Sequence, residues 1–558
     1  MNKRMWTMGL LSLALAGGAV IAGCSDKKED AAAASGSASP NTPEVRRDIS
    51  VMLYDRGRVP ADQGTIESNR WTKWINEQGP ANVKFVAIPR YESADKLNVL
   101  YASGSAPDLI MEFSQKIRDP LYQQKQLLPL DDLIAQHSVE YKKFMEDNPI
   151  LKKAGTMADG KMYYFGKLNY VTPNRGFLIR TDWLKKLGLE MPKTTEDLYK
   201  VVKAFAEQDP DGNGKKDTYG ISLAGDTGFA LRQTFGVTTR WEVKNNEAVI
   251  FWDRFVHFNT FAQKVYQDGS IDRDFPTDGN GARTKQDFIS GKLGIYGFLL
   301  NPVQVQLQLI DPLKKNLPAA EVAFLAYPES PAGAFLPTLT NPVQMPGAVS
   351  ATAKHPEAVM KYVDFLIKDS TYQTLKYGEE GTHYKMVNGC PEVTDATKLQ
   401  KEVTYLADDM LMIGGTSEFS KCNMPLVQYQ SDSRKQEYQD IFDSYMSTYM
   451  SFDRKYPEIT LSELMPTLPL ELSTIESNAG KAIDDIWLKA VVDGGKYTID
   501  QALKDAQNEW SKAGGKQVED WYRSWYQTDK DKAILFKDVQ EIAKTTYADY
   551  KKIRAELK

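Results

Sequence analysis

Apolar and polar positions follow two distinct rhythms after residue 48. Ile49-Ser-Val-Met-Leu-Tyr54 is short, rich in strand formers and closed by Asp55-Arg56-Gly57, which predicts a strand running into a polar turn. From Glu67 to Glu77, Trp71, Trp74 and Ile75 fall at helical spacing, and Val83–Ile88 predicts a second strand. Ser93–Ala102 carries Leu97, Leu100 and Tyr101 on one helical face, and a Gly/Ser/Pro turn then feeds a third strand, Leu109–Met111. Strand–helix–strand–helix–strand is the order of a doubly wound α/β lobe.

The alternation continues. Asp131–Ile134, Tyr141–Met145 and Thr181–Leu187 predict helices, and Lys161–Phe165, Gly176–Arg180, Ile221–Leu223 and Gly294–Phe298 predict strands. Thr194 with Asp197 three residues on caps a helix whose buried stripe is Leu198, Val201, Val202 and Phe205. Asn245-Asn246 centres a hairpin between Trp241 and Trp252, and Phe255–Tyr266 and Ala358–Ile367 are helices with apolar stripes. Beyond about residue 400 the pattern is helical: Leu503, Ala506 and Trp510 share a face, and Trp521, Tyr522, Trp525 and Tyr526 crowd one amphipathic segment. About 510 residues follow the N-terminal region, too many for one core, which predicts two lobes.

The N-terminus has its own pattern. Lys3 and Arg4 precede an apolar run from Met8 to Ala22 and then Ile21-Ala-Gly-Cys24, so residues 1–23 read as a secretory signal. Small residues before Cys24 match a lipobox, in which that cysteine is acylated with palmitate-type chains and becomes the mature N-terminus. Residues 24–47 are polar and rich in Ala, Ser and Pro, the composition of a disordered tether. The expected location is therefore the outer face of the cell membrane. A formal charge of −5 with well-mixed signs argues against a nucleic-acid groove. Cys390 and Cys422 remain, and the sequence fits one disulfide or two separate thiols equally.

The richest chemical motif is Asp209-Pro-Asp-Gly-Asn-Gly-Lys-Lys-Asp217-Thr-Tyr-Gly220. Asp209, Asp211, Asn213, the Lys215 carbonyl and Asp217 occupy the calcium-ligating positions of an EF-hand-like loop, with Gly214 at the sharp turn. Gly220 stands where an EF-hand carries its bidentate glutamate, so the last ligand must come from elsewhere or be water. The plainer alternative is a polar turn between a helix and a strand. Catalytic signatures are missing: Gly220-Ile-Ser222-Leu-Ala224 fails the nucleophile-elbow pattern at its last position, and neither a Walker A nor an H-E-x-x-H motif occurs. The four histidines, 137, 257, 355 and 383, are scattered.

Several ordered motifs together resemble one family. These are Ala102–Asp108, Ile179–Leu184 followed by Leu187-Gly-Leu, Asp209–Gly220, Tyr266–Asp272, Gly291–Gly294 and Gly378–Tyr384, spanning about residues 48 to 390. In that order they resemble the extracellular solute-binding proteins (family 1) of ABC importers, and among them the lipoproteins and alginate-oligosaccharide-binding relatives with a calcium loop. The resemblance implies a two-lobed α/β fold of the periplasmic-binding type (type II) with a helix-rich C-terminus. It implies an N-terminal lobe from residues 48–170 and 340–398, and a C-terminal lobe from 171–339 and 399–558. It also implies capture of an oligosaccharide between the lobes, delivery to the transmembrane subunits of a permease, a structural calcium, a monomeric state and no enzymatic activity. The alginate-binding relatives place an acid where this chain has Thr218, a neutral and weaker ligand.

A sugar site needs flat aromatic faces and planar polar groups. Trp241 sits in a polar turn, where both a stacking platform and a core residue fit. Tyr54, Asp55 and Arg56 leave the first strand where an α/β cleft opens, and Arg56 suits a uronate carboxylate. Asn169, Tyr170, Asn174 and Arg175 fall where the chain crosses between lobes. Phe298 and Asn301 end a strand expected to face the cleft, and Glu380 and His383 offer further polar contacts. A surface-anchored polysaccharide-degrading enzyme and a peptide-binding receptor of the same fold are the competing readings.

Overall fold

Among the described residues the period-two and β-branched runs become twelve strands: β1 (Asp48–Asp55), β2 (Asn82–Pro89), β3 (Leu109–Met111), β4 (Phe165–Leu168), β5 (Gly176–Arg180), β6 (Trp241–Lys244), β7 (Glu247–Ile250), β8 (Ile295–Phe298), β9 (Val322–Leu325), β10 (Val343–Val349), β11 (Tyr384–Val387) and β12 (Cys390–Val393). The computed structural model describes residues 45–414, 422 and 425–557, and those from Arg46 onward make one compact unit. The signal segment 1–23, Cys24 and most of the tether lie outside the described residues. The tether ends before residue 47: Arg46 donates to the carbonyls of Asn76 and Ala81, and the Arg47 carbonyl accepts the Asn82 N–H at 2.9 Å.

The first lobe is built on a five-stranded sheet ordered β2-β1-β3-β10-β4. β1 pairs in parallel with β2 and β3, and β10 returns antiparallel between β3 and β4. Val51, Met52, Leu53 and Tyr54 are all buried, as expected for a central strand covered by helices on both faces. The second lobe is smaller in its sheet, β8-β5-β9, with β5 antiparallel to both neighbours and buried along its whole length. The strand predicted at Ile221–Leu223 does not form. Tyr219 and Gly220 pair instead with the chain entering β8, through Tyr219 N–H to Lys292 O at 2.9 Å and Ile295 N–H to Gly220 O at 2.8 Å. The strand predicted from Lys161 forms only at β4, starting at Phe165.

Two short segments carry the chain across and back, one between β4 and β5 and one between β9 and β10. They run antiparallel, with Thr340 N–H on Thr172 O at 2.8 Å and Asn174 N–H on Thr338 O at 3.2 Å. Asn169 pins this pair, because its Nδ2 donates to Asn341 O at 2.9 Å and to Gln344 Oε1 at 3.0 Å. After β12, the chain as far as Gly414 stays with the first lobe. The Trp71 indole donates to Glu402 O at 2.9 Å, and Arg56 meets Asp409, which moves the second passage beyond residue 398. Cys390, the first residue of β12, is bridged to Cys422 with a Cα–Cα distance of 5.1 Å.

The C-terminal helices Leu470–Asp493, Ile499–Lys512 and Gly515–Thr528 pack on the β6–β7 hairpin and on the helix Trp252–Gln267. Asn245 and Asn246 take φ of 52° and 61°, the left-handed pair that a tight two-residue hairpin turn requires. No helix among the described residues is long and apolar enough to cross a membrane.

Candidate functional site

Between the lobes lies a cavity of about 900 Å³. The first lobe contributes Arg90, just after β2, and Phe113, Ser114 and the start of the helix Gln115–Gln123 after β3. The second contributes Phe229 and Arg232 from the helix Gly225–Thr234, the loop Val237–Trp241, and Phe255, Phe258 and Asn259 from the helix Trp252–Gln267. The helix Leu470–Asp493 closes the third side with Ser473, Glu476, Ser477, Gly480, Asp484 and Trp487.

Local sequence explains how these elements sit. Phe229 and Arg232 are three apart and share a helical face. Their helix lies tight on β8: Gly297 N–H donates to Thr227 Oγ1 at 2.9 Å, and a Cβ on Gly297 would come within 2.6 Å of the Thr227 Cα. The loop before Trp241 is held by Arg254, which donates to Gly236 O at 3.3 Å and Pro457 O at 2.5 Å and pairs with Glu242. Gly236 has φ of 73° and no room for a Cβ, which would meet the Phe335 ring at 2.6 Å.

The electrostatics follow the depth of the cleft. Arg232 is exposed to the cavity yet surrounded by protein, so desolvation lowers its pKa, with Arg175 adding to the effect and Asp484 opposing it. Phe229 lies between two guanidinium groups, Arg175 at 4.1 Å and Arg232 at 5.8 Å from its ring centroid. Away from the cavity lining, burial lowers the pKa of Lys285; Arg58 from the first lobe lowers it further, while Asp226 opposes.

The residues predicted for the site fare unevenly. Trp241 borders the cavity, but its ring is 2% exposed and packs on Tyr522 with centroids 4.3 Å apart, while its Nε1 donates to Glu476 at 3.1 Å. It is core at the edge of the cleft. Tyr54 is fully buried beneath Arg90, which stacks on its ring at 4.6 Å. Asp55 closes its own turn by accepting the Gly57 N–H at 2.8 Å. Arg56 is engaged with Asp409 through Nε at 2.8 Å, which takes it from the carboxylate role expected for it. Asn169 and the partly buried Tyr170 lie in the crossing segment, and Arg175 pairs with Asp226 at 2.8 Å beside Phe229. Phe298 does not face the cleft: it is 1% exposed, packed against Phe324 and Tyr445. Asn301 caps the helix Pro302–Val305 by accepting the Gln304 N–H at 3.0 Å. His383 is fully buried, with Nδ1 accepting the Glu379 N–H and Nε2 at 3.2 Å from Glu402; exposed Glu380 shares its loop, and neither borders the cavity. Sequence reasoning missed Arg90, Phe229, Arg232, Arg240 and Trp487.

The loop Asp209–Gly220 lies away from the cavity, following the helix Thr195–Glu207. Asp209 takes φ of 47° and accepts the Gly212, Asn213 and Gly214 N–H groups, each at 3.1 Å. Asn213 Nδ2 donates to Asp211 at 2.7 Å and Asp217 at 3.0 Å, so an amide stands between two carboxylates where a cation would stand. Among the described residues no three of His, Cys, Asp and Glu are gathered to hold a metal ion. The donor set is nonetheless all oxygen and on one loop, chemistry that fits a hard cation once the loop tightens. Thr218 is not among the donors: its hydroxyl is buried and donates to Phe205 O at 2.8 Å. Gly220 has a reason of its own, since a Cβ there would lie 2.3 Å from the Val202 carbonyl oxygen. Position 12 cannot carry the glutamate of an EF-hand.

Two sheets joined by paired crossing segments around an open cleft define a two-lobed binding protein. The profile of the bacterial extracellular solute-binding proteins matches residues 69–373, more than half of the sequence, and the chain belongs to that family. It is similar to the polygalacturonan/rhamnogalacturonan-binding protein YtcQ of Bacillus subtilis, with 25% identity over 527 residues covering 92% of this chain and 97% of that protein. It is also 25% identical to the lipoprotein LipO of Bacillus subtilis over 474 residues, 80% of this chain and 87% of that one. Among solved structures, the alginate-binding protein AlgQ2 without calcium ion superposes with a TM-score of 0.68 at 20% identity, covering 87% of this chain and 98% of that one. The substrate-binding protein FusA of S. pneumoniae in complex with kestose gives 0.67 at 18% identity, covering 87% and 99%.

Proposed function

We propose that this protein is the lipid-anchored receptor of an ABC importer, capturing an oligosaccharide between its lobes and delivering it to the permease. The observation that carries this is the cleft: about 900 Å³, walled by both lobes, with an aromatic face at Phe229 beside guanidinium and carboxylate groups. Relatives named for polygalacturonan and for kestose support a saccharide as the occupant. Contacts from both sides favour the closed state by the difference in ligand affinity between closed and open forms. The paired strands at Asn169–Arg175 would act as the hinge, leaving each sheet intact. Cys24 supplies the membrane anchor, in keeping with the lipoprotein relative. Isothermal titration of the mature protein against a panel of oligosaccharides is expected to give saturable binding at one site per chain without turnover. Binding of peptides and of no sugar, or sustained product release from a polysaccharide, would overturn it.

Calcium belongs to the same proposal as a structural ion. Asp209, Asp211, Asn213, Asp217 and the Lys215 carbonyl would hold it, and bound there it ties the loop together at a distance from the solute. At a hundredfold excess over Kd, calcium should add about 2.7 kcal/mol of stability, seen as a higher melting temperature than in EDTA. Asp211→Ala should abolish the calcium-dependent rise and leave sugar affinity nearly unchanged. Equal melting temperatures in calcium and EDTA for the unmodified protein would refute the site.

A further inference from the structure

Charged groups of both signs line the cleft, but they are not equally free. Glu463 accepts from Asn341 Nδ2 at 2.9 Å, Glu476 from the Trp241 indole at 3.1 Å, and Asp484 from Arg240 at 3.4 Å. Asp119 is buried beside Arg118, and burial holds its pKa up. Asp485 is the remaining carboxylate on the wall, exposed near the end of the helix Leu470–Asp493.

The cations differ. Arg90 on the first lobe and Arg232 on the second both border the cavity, and among the described residues neither has a hydrogen-bonded carboxylate. Each guanidinium lies over an aromatic ring, Arg90 over Tyr54 at 4.6 Å and Arg232 over Phe229 at 5.8 Å. A cation–π contact engages the face of a guanidinium. It leaves the in-plane N–H fork unspent, the geometry that pairs bidentately with a carboxylate. Two such forks, one per lobe, border the same cavity.

We propose that the cleft selects saccharides bearing a carboxylate, held between Arg90 and Arg232. The inference rests on the oligosaccharide-receptor function and narrows it to uronate-type ligands. A neutral sugar would leave both guanidinium forks without an anionic hydrogen-bond partner.

The test is isothermal titration of the mature full chain with trigalacturonate, its methyl ester and kestose, on the wild type and on Arg90→Gln and Arg232→Gln, with melting curves for each protein. The methyl ester keeps the ring and its hydroxyls while removing the charge. The acid is expected to bind at least about tenfold more tightly than the ester, roughly 1.4 kcal/mol. Each glutamine variant should erase most of that preference while weakening ester binding far less, and raised salt should narrow the preference in the wild type. Equal affinity for acid and ester, or a loss in the variants that is the same for both ligands, would overturn the inference. Binding of kestose with no binding of either galacturonate would overturn it while leaving the receptor function standing. Binding of no saccharide by a wild-type protein that melts cooperatively would remove both.

Discussion

Replacing Arg56 with alanine is expected to cost about 3–5 kcal/mol of folding free energy, read as a lower urea midpoint at unchanged m-value. The partner, Asp409, has a side chain only 3% exposed, and Arg56 Nε reaches its two oxygens at 2.8 and 3.1 Å. Burial pushes the Asp409 carboxyl up to about 6, with the Arg56 charge holding it down and Asp408 pushing it further up. The sign of the pH effect follows. A carboxyl whose folded pKa lies above its unfolded value of ~3.9 binds more protons when folded, so stability falls as pH rises from ~4 to ~6. Without Arg56 the folded pKa climbs further and the fall extends toward neutral pH. The deficit of the variant against the wild type should therefore be larger at about pH 8 than at about pH 5. A deficit that is the same at both would mean that Arg56 acts through its packing over Tyr54, 5.4 Å from the ring centroid, and not through its charge.

The same pair shows where reading the sequence succeeds and where it runs out. Periodicity is local, so several elements that rest on it appear where expected: β5 at Gly176–Arg180, β3 at Leu109–Met111, and the capped helix from Thr195, whose Thr194–Asp197 capping box is formed. The loop Asp209–Gly220 is local too, since its candidate donors are spaced within a dozen residues. The cleft is not local. Its walls come from Arg90, from Thr238–Trp241 and from a helix starting at Leu470, and nothing in the spacing of one segment reports on the others. Arg56 sits at the mouth of a strand, as a ligand residue should, but Asp409 is 353 positions away and takes the guanidinium. Phe298 ends a strand, as expected, and is then covered by Tyr445 from the helix Lys435–Tyr449. One signal was present and overlooked. Ser473, Ser477, Gly480 and Asp484 recur every three or four residues along one helix, a small and polar face that leaves space beside Trp487. The gap between position and role is widest for the aromatics, where packing and stacking use the same side chains.

Trp241 and Phe229 separate those two uses. Trp241→Ala is expected to lose about 3–5 kcal/mol of stability, the range for removing a large buried aromatic. Its ring is 2% exposed and lies on Tyr522, with Trp510 behind at 6.4 Å, so truncation opens a void between the β6–β7 hairpin and the C-terminal helices. It also strands the Glu476 carboxylate, which accepts from the indole at 3.1 Å. Phe229 is half-buried and faces the cavity between Arg175 and Arg232, so Phe229→Ala removes little core. There the loss should appear in sugar affinity, at least about tenfold or roughly 1.4 kcal/mol, with a melting temperature close to that of the wild type. Urea unfolding and titration calorimetry on both variants give the comparison. If Trp241→Ala kept its stability and lost binding, the indole would be the stacking platform and the C-terminal helices would not depend on it. If Phe229→Ala bound sugar as well as the wild type, the ring would serve only to hold the two arginines apart, and its role as a stacking face would fall.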